Sequence, residues 1–253
     1  MDAPGQPAPT FIAGLRFTQH YGDAVADGRA ELTDQLRDPA SGQARCSVLA
    51  TYADIYTGVL CAMVVAPRIA LTVDLTLHVL GDVSADALDV AATILRSGRT
   101  LTVAEAVFTV AGSAVPVAVS HATFVGSPRP GDILERDRLL VEPARQALER
   151  PFPEALGAEV QAPGVVEMAR VPYVQQPSGT IQGGAVALLG EVAATSLLGG
   201  RVVDLELRYL SAVRVGPAVT STTALDATHA RVEVRDAGNE GRLATVVLAT
   251  VVP

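Results

Sequence analysis

The sequence predicts an α+β chain of two similar halves, each a curved antiparallel sheet around one long central helix, on three observations. The first is an internal repeat. The run Thr72-Val73-Asp74-Leu75-Thr76-Leu77-His78-Val79-Leu80 recurs 130 positions later as Val202-Val203-Asp204-Leu205-Glu206-Leu207-Arg208-Tyr209-Leu210. Odd-numbered residues are apolar in both copies. Apart from Val202 and the closing leucines the even-numbered ones are polar, the period of a half-buried strand. The second observation is a helix-length apolar segment upstream of each strand, Cys46 to Val65 and Gly183 to Leu198. Each follows a turn-forming loop, Asp38-Pro39-Ala40-Ser41-Gly42 or Gln176-Pro177-Ser178-Gly179. The third is the alternation that follows, in Thr100 to Val110, Val115 to Phe124, Ala230 to Arg235 and Leu243 to Val252.

These elements divide the chain into a first domain at 1–125, a linker at 126–150 and a second domain at 151–253, each domain within the usual size range. Turn signals in Gly126-Ser127-Pro128-Arg129-Pro130-Gly131 open the linker, and a short helical pattern is expected around Leu139 to Leu148.

Composition narrows the chemistry. The 253 residues are 49% hydrophobic and 18% charged, too apolar for a disordered chain. The longest unbroken apolar run, Val59 to Ala66, stops at Pro67, whereas a membrane helix needs about 20 residues. No membrane span is expected. The first residues carry neither a basic nor an apolar signal region, so a cytoplasmic protein is expected. All 19 basic side chains are arginine, which removes Schiff-base lysine and phosphate-loop lysine chemistry. A formal charge of −8, five Phe, five Tyr and no Trp leave neither the basic field nor the stacking surface for nucleic acid. Cys46 and Cys61 form no disulfide framework and no metal-ligand spacing. Mean hydropathy is high, at +0.33, so further apolar surface is expected to be buried in a homo-oligomer.

An acid in a helix that is apolar nearly all round is the informative residue, and there are two. Asp54 lies nine positions after Arg45 and Glu191 nine after Gln182, so the acids share one repeat-equivalent place. Unpaired, each would cost several kcal/mol; the plain alternative is a satisfied buried polar group. The second helix opens Gln182-Gly183-Gly184, and glycines there let a ligand approach the free N–H groups of a helix terminus, as in an oxyanion hole. Eight residues separate Gly183 from Glu191, about 12 Å at roughly 1.5 Å per residue. One half therefore cannot place both groups on one carbonyl. Antiparallel packing of the helices would bring Asp54 to the Gly183 end and Glu191 to the Cys46 end.

Gly179-Thr180-Ile181-Gln182-Gly183-Gly184 followed by Leu189-x-Glu191 resembles the His-Gly-Gly…Leu-x-Asp/Glu signature of hotdog-fold acyl-CoA thioesterases, of the phenylacetate-pathway and 4-hydroxybenzoyl-CoA type. Leu71 to Leu75 and Ser97 to Ala106 extend the likeness to the first half. The resemblance, from about residue 15 onward, implies a tandem (double) hotdog. It implies a helix carboxylate, Asp54 or Glu191, as base or nucleophile. It also implies the Gly183 N–H on the thioester oxygen and a side-chain amide at Gln176 assisting. The signature His is Gln182 here, and the first-half triplet is the degenerate Arg45-Cys46-Ser47. Two unequal sites follow, with Asp54 facing Gln176 and Gly183 expected to be the competent one.

Substrate-binding positions expected beside these are Gln182, Gly184, Thr195, which would hold Glu191 or back-bond to its own helix, and Arg99, which would pair with a CoA phosphate or stand as a solvated charge. His20, His78, His121 and His229 show no recognisable acid partner, and a cysteine nucleophile lacks a histidine. The leading expectation is hydrolysis of an acyl-CoA thioester, with no cofactor beyond the CoA of the substrate and no metal. Hydratases of the same fold usually need a histidine that neither helix supplies. A binding or sensing module without turnover is the alternative.

Overall fold

A computed structural model describes residues 10–129, 131, 133 and 148–253. The first half has β1 (Phe17–Tyr21), β2 (Val25–Glu31), α1 (Cys46–Val65), β3 (Ala70–Val79), β4 (Ala87–Ser97), β5 (Leu101–Val110) and β6 (Pro116–Gly126). The second repeats this order as a short α2 (Phe152–Ala155), β7 (Ala158–Ala162), β8 (Val165–Met168), α3 (Gly183–Leu198), β9 (Arg201–Tyr209), β10 (Ala218–Ala224), β11 (His229–Asp236) and β12 (Arg242–Val252). The expected linker falls between β6 and α2. Its helical pattern at 139–147 lies outside the described residues.

All twelve strands form one antiparallel sheet, in the order β1-β2-β4-β5-β6-β3-β9-β12-β11-β10-β8-β7. The repeat strands β3 and β9 meet at its centre, where Thr76 pairs with Glu206, its own repeat equivalent, and so marks a pseudo-twofold axis. Around that axis Leu75 and Leu77 oppose Leu207 and Leu205, and all four are buried. On the other face Asp74 pairs with Arg208 at 3.1 Å and His78 with Asp204 at 3.0 Å.

Each long helix packs against the strands of its own half. Helix α1 has 20 residues and is long and apolar enough by length and composition to cross a membrane. Counting unbroken apolar residues missed this because Thr51, Asp54 and Thr57 interrupt the run. Here it is a core helix, with Tyr52, Tyr56 and Leu60 wholly buried. Contacts at 54 with 183, 51 with 184 and 47 with 191 show that α1 and α3 run antiparallel. They approach so closely that a Cβ on Gly184 would collide with Thr51.

The strands depart from strict alternation at several bulges, and one matched pair of these bears on the site. Val73 is skipped in the β3–β6 ladder and Val203 in the β12–β9 ladder. A bulge of this kind re-aims its neighbours, so Thr72 and Val202 turn inward although both carry even numbers. The expectation that even positions face away from the core fails here.

Candidate active site

The two ends of the helix pair share a backbone and differ in side chains. At the start of α3, Gln182 is the N-cap: its Oε1 accepts from the N–H groups of Gly184, at 2.5 Å, and Ala185, at 3.3 Å. The other end of that amide donates, Nε2 to Asp54 Oδ2 at 3.0 Å. Asp54 Oδ1 accepts from Thr72 Oγ1 at 2.8 Å, the contact that the bulge makes possible. A Cβ placed on Gly183 would lie 3.2 Å from both Asp54 Oδ2 and the Tyr209 hydroxyl. Glycine thus leaves the approach to the carboxylate open. The Tyr209 hydroxyl donates to the Gly183 carbonyl at 3.1 Å, and no acceptor among the described residues takes the Gly183 N–H.

Both partners of Asp54 are neutral. Burial, with no cation among the described residues beside the carboxylate to offset it, raises the Asp54 pKa to about 6, against a lowering from the Thr72 hydroxyl. Burial first, and then the Asp54 charge, pushes up the Tyr209 and Cys61 groups, Cys61 to about 12.

The start of α1 is arranged differently. Its N-cap is Arg45, which makes no side-chain cap, because a guanidinium has donors and no acceptor. The terminus is capped from the other half: Glu191 Oε2 accepts from the Ser47 N–H at 2.9 Å, and Oε1 lies 3.6 Å from Arg45 Nη1. Glu191 is 1% exposed. It occupies the helix terminus where a substrate oxygen would have to sit. Burial, then the Glu191 charge, keeps the Cys46 thiol well above its ordinary range, and Cys46 is fully buried. A cysteine nucleophile has no support at either position.

Of the residues singled out in the sequence, the fold brings together Asp54, Gln182, Gly183 and Gly184 at one end and leaves Glu191 at the other. Gln176 is elsewhere engaged: its Nε2 donates to Thr180 Oγ1 at 2.6 Å inside its own loop, and the amide on Asp54 is Gln182. Thr195 back-bonds to the carbonyls of Glu191, at 3.0 Å, and Val192, at 3.1 Å, rather than to the carboxylate. Arg99 is exposed in the β4–β5 turn, in a depression of about 220 Å³ with Arg68 and the last turn of α1. That helix end presents carbonyl dipoles, which disfavour a phosphate. The histidines do have acid partners: His20 with Asp27 at 3.4 Å, His78 with Asp204 and His121 with Glu105 at 3.0 Å, and His229 with Asp226 at 2.8 Å. Three of these pairs face each other across strands, and all stand at the surface away from Asp54.

Two site residues escaped the sequence reading, Thr72 and Tyr209. Their repeat equivalents are Val202 and Val79, so the polar member of an otherwise apolar pair was the available signal.

No family model matches this chain, and no curated protein matches it. Solved structures do. The 12:0-ACP thioesterase from Umbellularia californica superposes with a TM-score of 0.66 at 10% identity, over 92% of this chain and 99% of that one. An acyl-ACP thioesterase from Bacteroides thetaiotaomicron gives 0.63 at 10% identity, over 89% and 97%. A conserved protein of unknown function with a hotdog fold from Alicyclobacillus acidocaldarius gives 0.56 at 14% identity, over 93% and 96%. The chain has the double hotdog fold.

Proposed function

We propose that this protein is an acyl-CoA thioesterase with a single reaction centre, built by Asp54 from the first half and the α3 terminus from the second. One observation carries the reading: a carboxylate with neutral partners lies against a glycine whose N–H is free, each contributed by a different half. The thioester oxygen would accept from the Gly183 N–H. Asp54, with a pKa of about 6, is ionised at neutral pH and basic enough to take a proton from an attacking water. The C–O bond forms as that proton moves to Asp54, the oxyanion develops against the Gly183 N–H, and collapse breaks the C–S bond to release the thiolate. Gln182 and Thr72 hold the two carboxylate oxygens so that one edge of Oδ2 stays directed at Gly183. The likeness to solved thioesterases supports the reaction class, and the sequence resemblance supports CoA as the carrier.

The test is release of free thiol from a panel of acyl-CoA and acyl carrier protein thioesters, with thermal-shift binding of the same panel. Hydrolysis of an acyl-CoA that falls at least about 10²-fold in Asp54→Asn is the expected result. Binding without hydrolysis would make the protein a sensing module. Label from H2 18O found in the Asp54 carboxylate after a single turnover would make Asp54 a nucleophile instead of a base. We further propose a homo-oligomer, since the repeat-equivalent Leu80 and Leu210 are 60% and 59% exposed; sedimentation as a 26.1 kDa species alone would exclude it.

A further inference from the structure

The end of the helix pair that contains Glu191 has the parts of an anion receptor. Four observations coincide there. The N-terminus of α1 carries no cap from its own N-cap residue. The Arg45 side chain, 12% exposed, turns its guanidinium toward the same spot, 3.6 Å from Glu191 Oε1. Ser47, whose N–H holds Glu191 Oε2, also has a hydroxyl that is wholly buried and without a hydrogen-bond partner among the described residues. Arg45 Nε is a second buried donor left unused among the described residues. A buried site with a cation, a helix-terminal N–H and two spare polar atoms, around a carboxylate that uses only part of them, is a built carboxylate-binding site.

We propose that this second interface site is a carboxylate receptor filled permanently by the chain's own Glu191, and that removing the Glu191 carboxylate opens it to a small free carboxylate. In the intact protein the internal ligand fastens the first turn of α1 to the middle of α3, and so fixes the frame in which Asp54, further along α1, meets Gly183. The site is thus a tether between the halves and holds no second reaction centre. Its counterpart at Asp54 cannot take this part, because Gln182 already caps α3 and brings no positive charge.

The experiment is thermal denaturation of the full chain, wild type and Glu191→Ala, in sodium formate and in sodium chloride of matched ionic strength. The alanine variant should melt lower in chloride. Saturating formate should raise its Tm by about 4 °C, in a saturable way, through binding to the folded state alone. The wild type should show no such rise, since Glu191 fills the site. The double variant Arg45→Gln with Glu191→Ala should lose the response because the cation is gone. A formate curve for Glu191→Ala that follows chloride overturns the proposal, as does an equal rise in the wild type. Should Glu191→Ala yield no folded protein in chloride, refolding from urea in formate decides the matter: recovery in formate supports the receptor, and failure in both salts overturns it.

Discussion

Thr72 and Val202 stand at the same place in the repeat, both turned inward by a bulge, and the hydroxyl of one decides how its acid behaves. Thr72 donates to Asp54 Oδ1 and lowers its pKa against the larger upward pull of burial. Thr72→Val, which copies the other half, should therefore move the acidic limb of the kcat/KM profile above pH 6 and cut activity at neutral pH several-fold. An unchanged limb would separate Thr72 from the chemistry. Asp54→Asn should lose at least about 10² in kcat, whereas Glu191→Gln, which keeps one acceptor for Ser47, should lose much less. Because the folded pKa of Asp54, about 6, lies above the ordinary 3.8, the folded state binds this proton more tightly than the unfolded chain. Stability from this group therefore falls as pH rises through that window and returns on acidification. Asp54→Asn removes the buried charge and should gain about 2 kcal/mol at neutral pH, discounted for partial exposure, or roughly 5 °C in Tm. A variant that is both inactive and less stable would mean that Asp54 is structural. Neither Thr72 nor its bulge was legible beforehand, since alternation assigns Thr72 to the outer face; the apolar Val202 at the matching even position was the trace that the bulge left.

At the scale of elements, the residue that opens each long helix sets the fate of the acid opposite. Gln182 both accepts and donates, so α3 is capped by its own N-cap residue and the surplus N–H goes to Asp54. Arg45 only donates, so α1 takes its cap from Glu191. The loops behind these starts are braced by unlike devices. In the first half the Arg37 guanidinium donates to the carbonyls of Leu32, Gly42, Ser84 and Ala85, and Val83 of that loop accepts from Ala44, next to Arg45. In the second, buried Asp236 accepts from the N–H groups of Arg214 at 2.7 Å, Val215 at 3.1 Å and Gly216 at 2.6 Å, and Val213 accepts from Ile181, next to Gln182. Burial would raise the Asp236 pKa, but the three backbone donors outweigh it and hold the pKa below the ordinary range. Its contribution is present above that range and lost as pH falls through the lowered pKa. Asp236→Ala strands three donors and should cost about 3 kcal/mol in urea denaturation. It should also lower kcat, because the loop that carries Gln182 loosens. Lost stability with full activity would show that the brace does not reach the site.

The described residues form one sheet with two long helices against it, and the proposed site draws on both halves. The Asp74–Arg208 ion pair beside the axis is more than a third exposed, at 41% and 46%, and a pair of this kind is worth about 0–1 kcal/mol. Register across the centre is set instead by the four buried leucines, which a one-residue slip would turn outward. The halves produced as separate chains should each be inactive, and mixing or co-expression should restore hydrolysis. A first half that is soluble, monomeric and fully active by itself would overturn the shared site. The two short turns at the domain starts also meet, with the rings of Phe11 and Phe152 edge to face at 5.9 Å.

The sequence by itself determined the two-fold plan, the repeated strand, the two long helices and the equivalence of Asp54 and Glu191. Those follow from periodicity and spacing along the chain, which local sterics and the alternation of side chains fix. It also required a site drawn from both halves if one carbonyl was to meet both a glycine N–H and an acid, with antiparallel helices as the packing that would bring Asp54 to the Gly183 end. Only the tertiary structure decided that Gln182 rather than Gln176 meets Asp54, that Glu191 is spent on the α1 terminus, and that all four histidines have acid partners. Most of these are contacts between segments remote in sequence. They depend on ladder register, a single skipped residue and which N-cap can accept a hydrogen bond, and a one-residue change in any of these exchanges one set of partners for another.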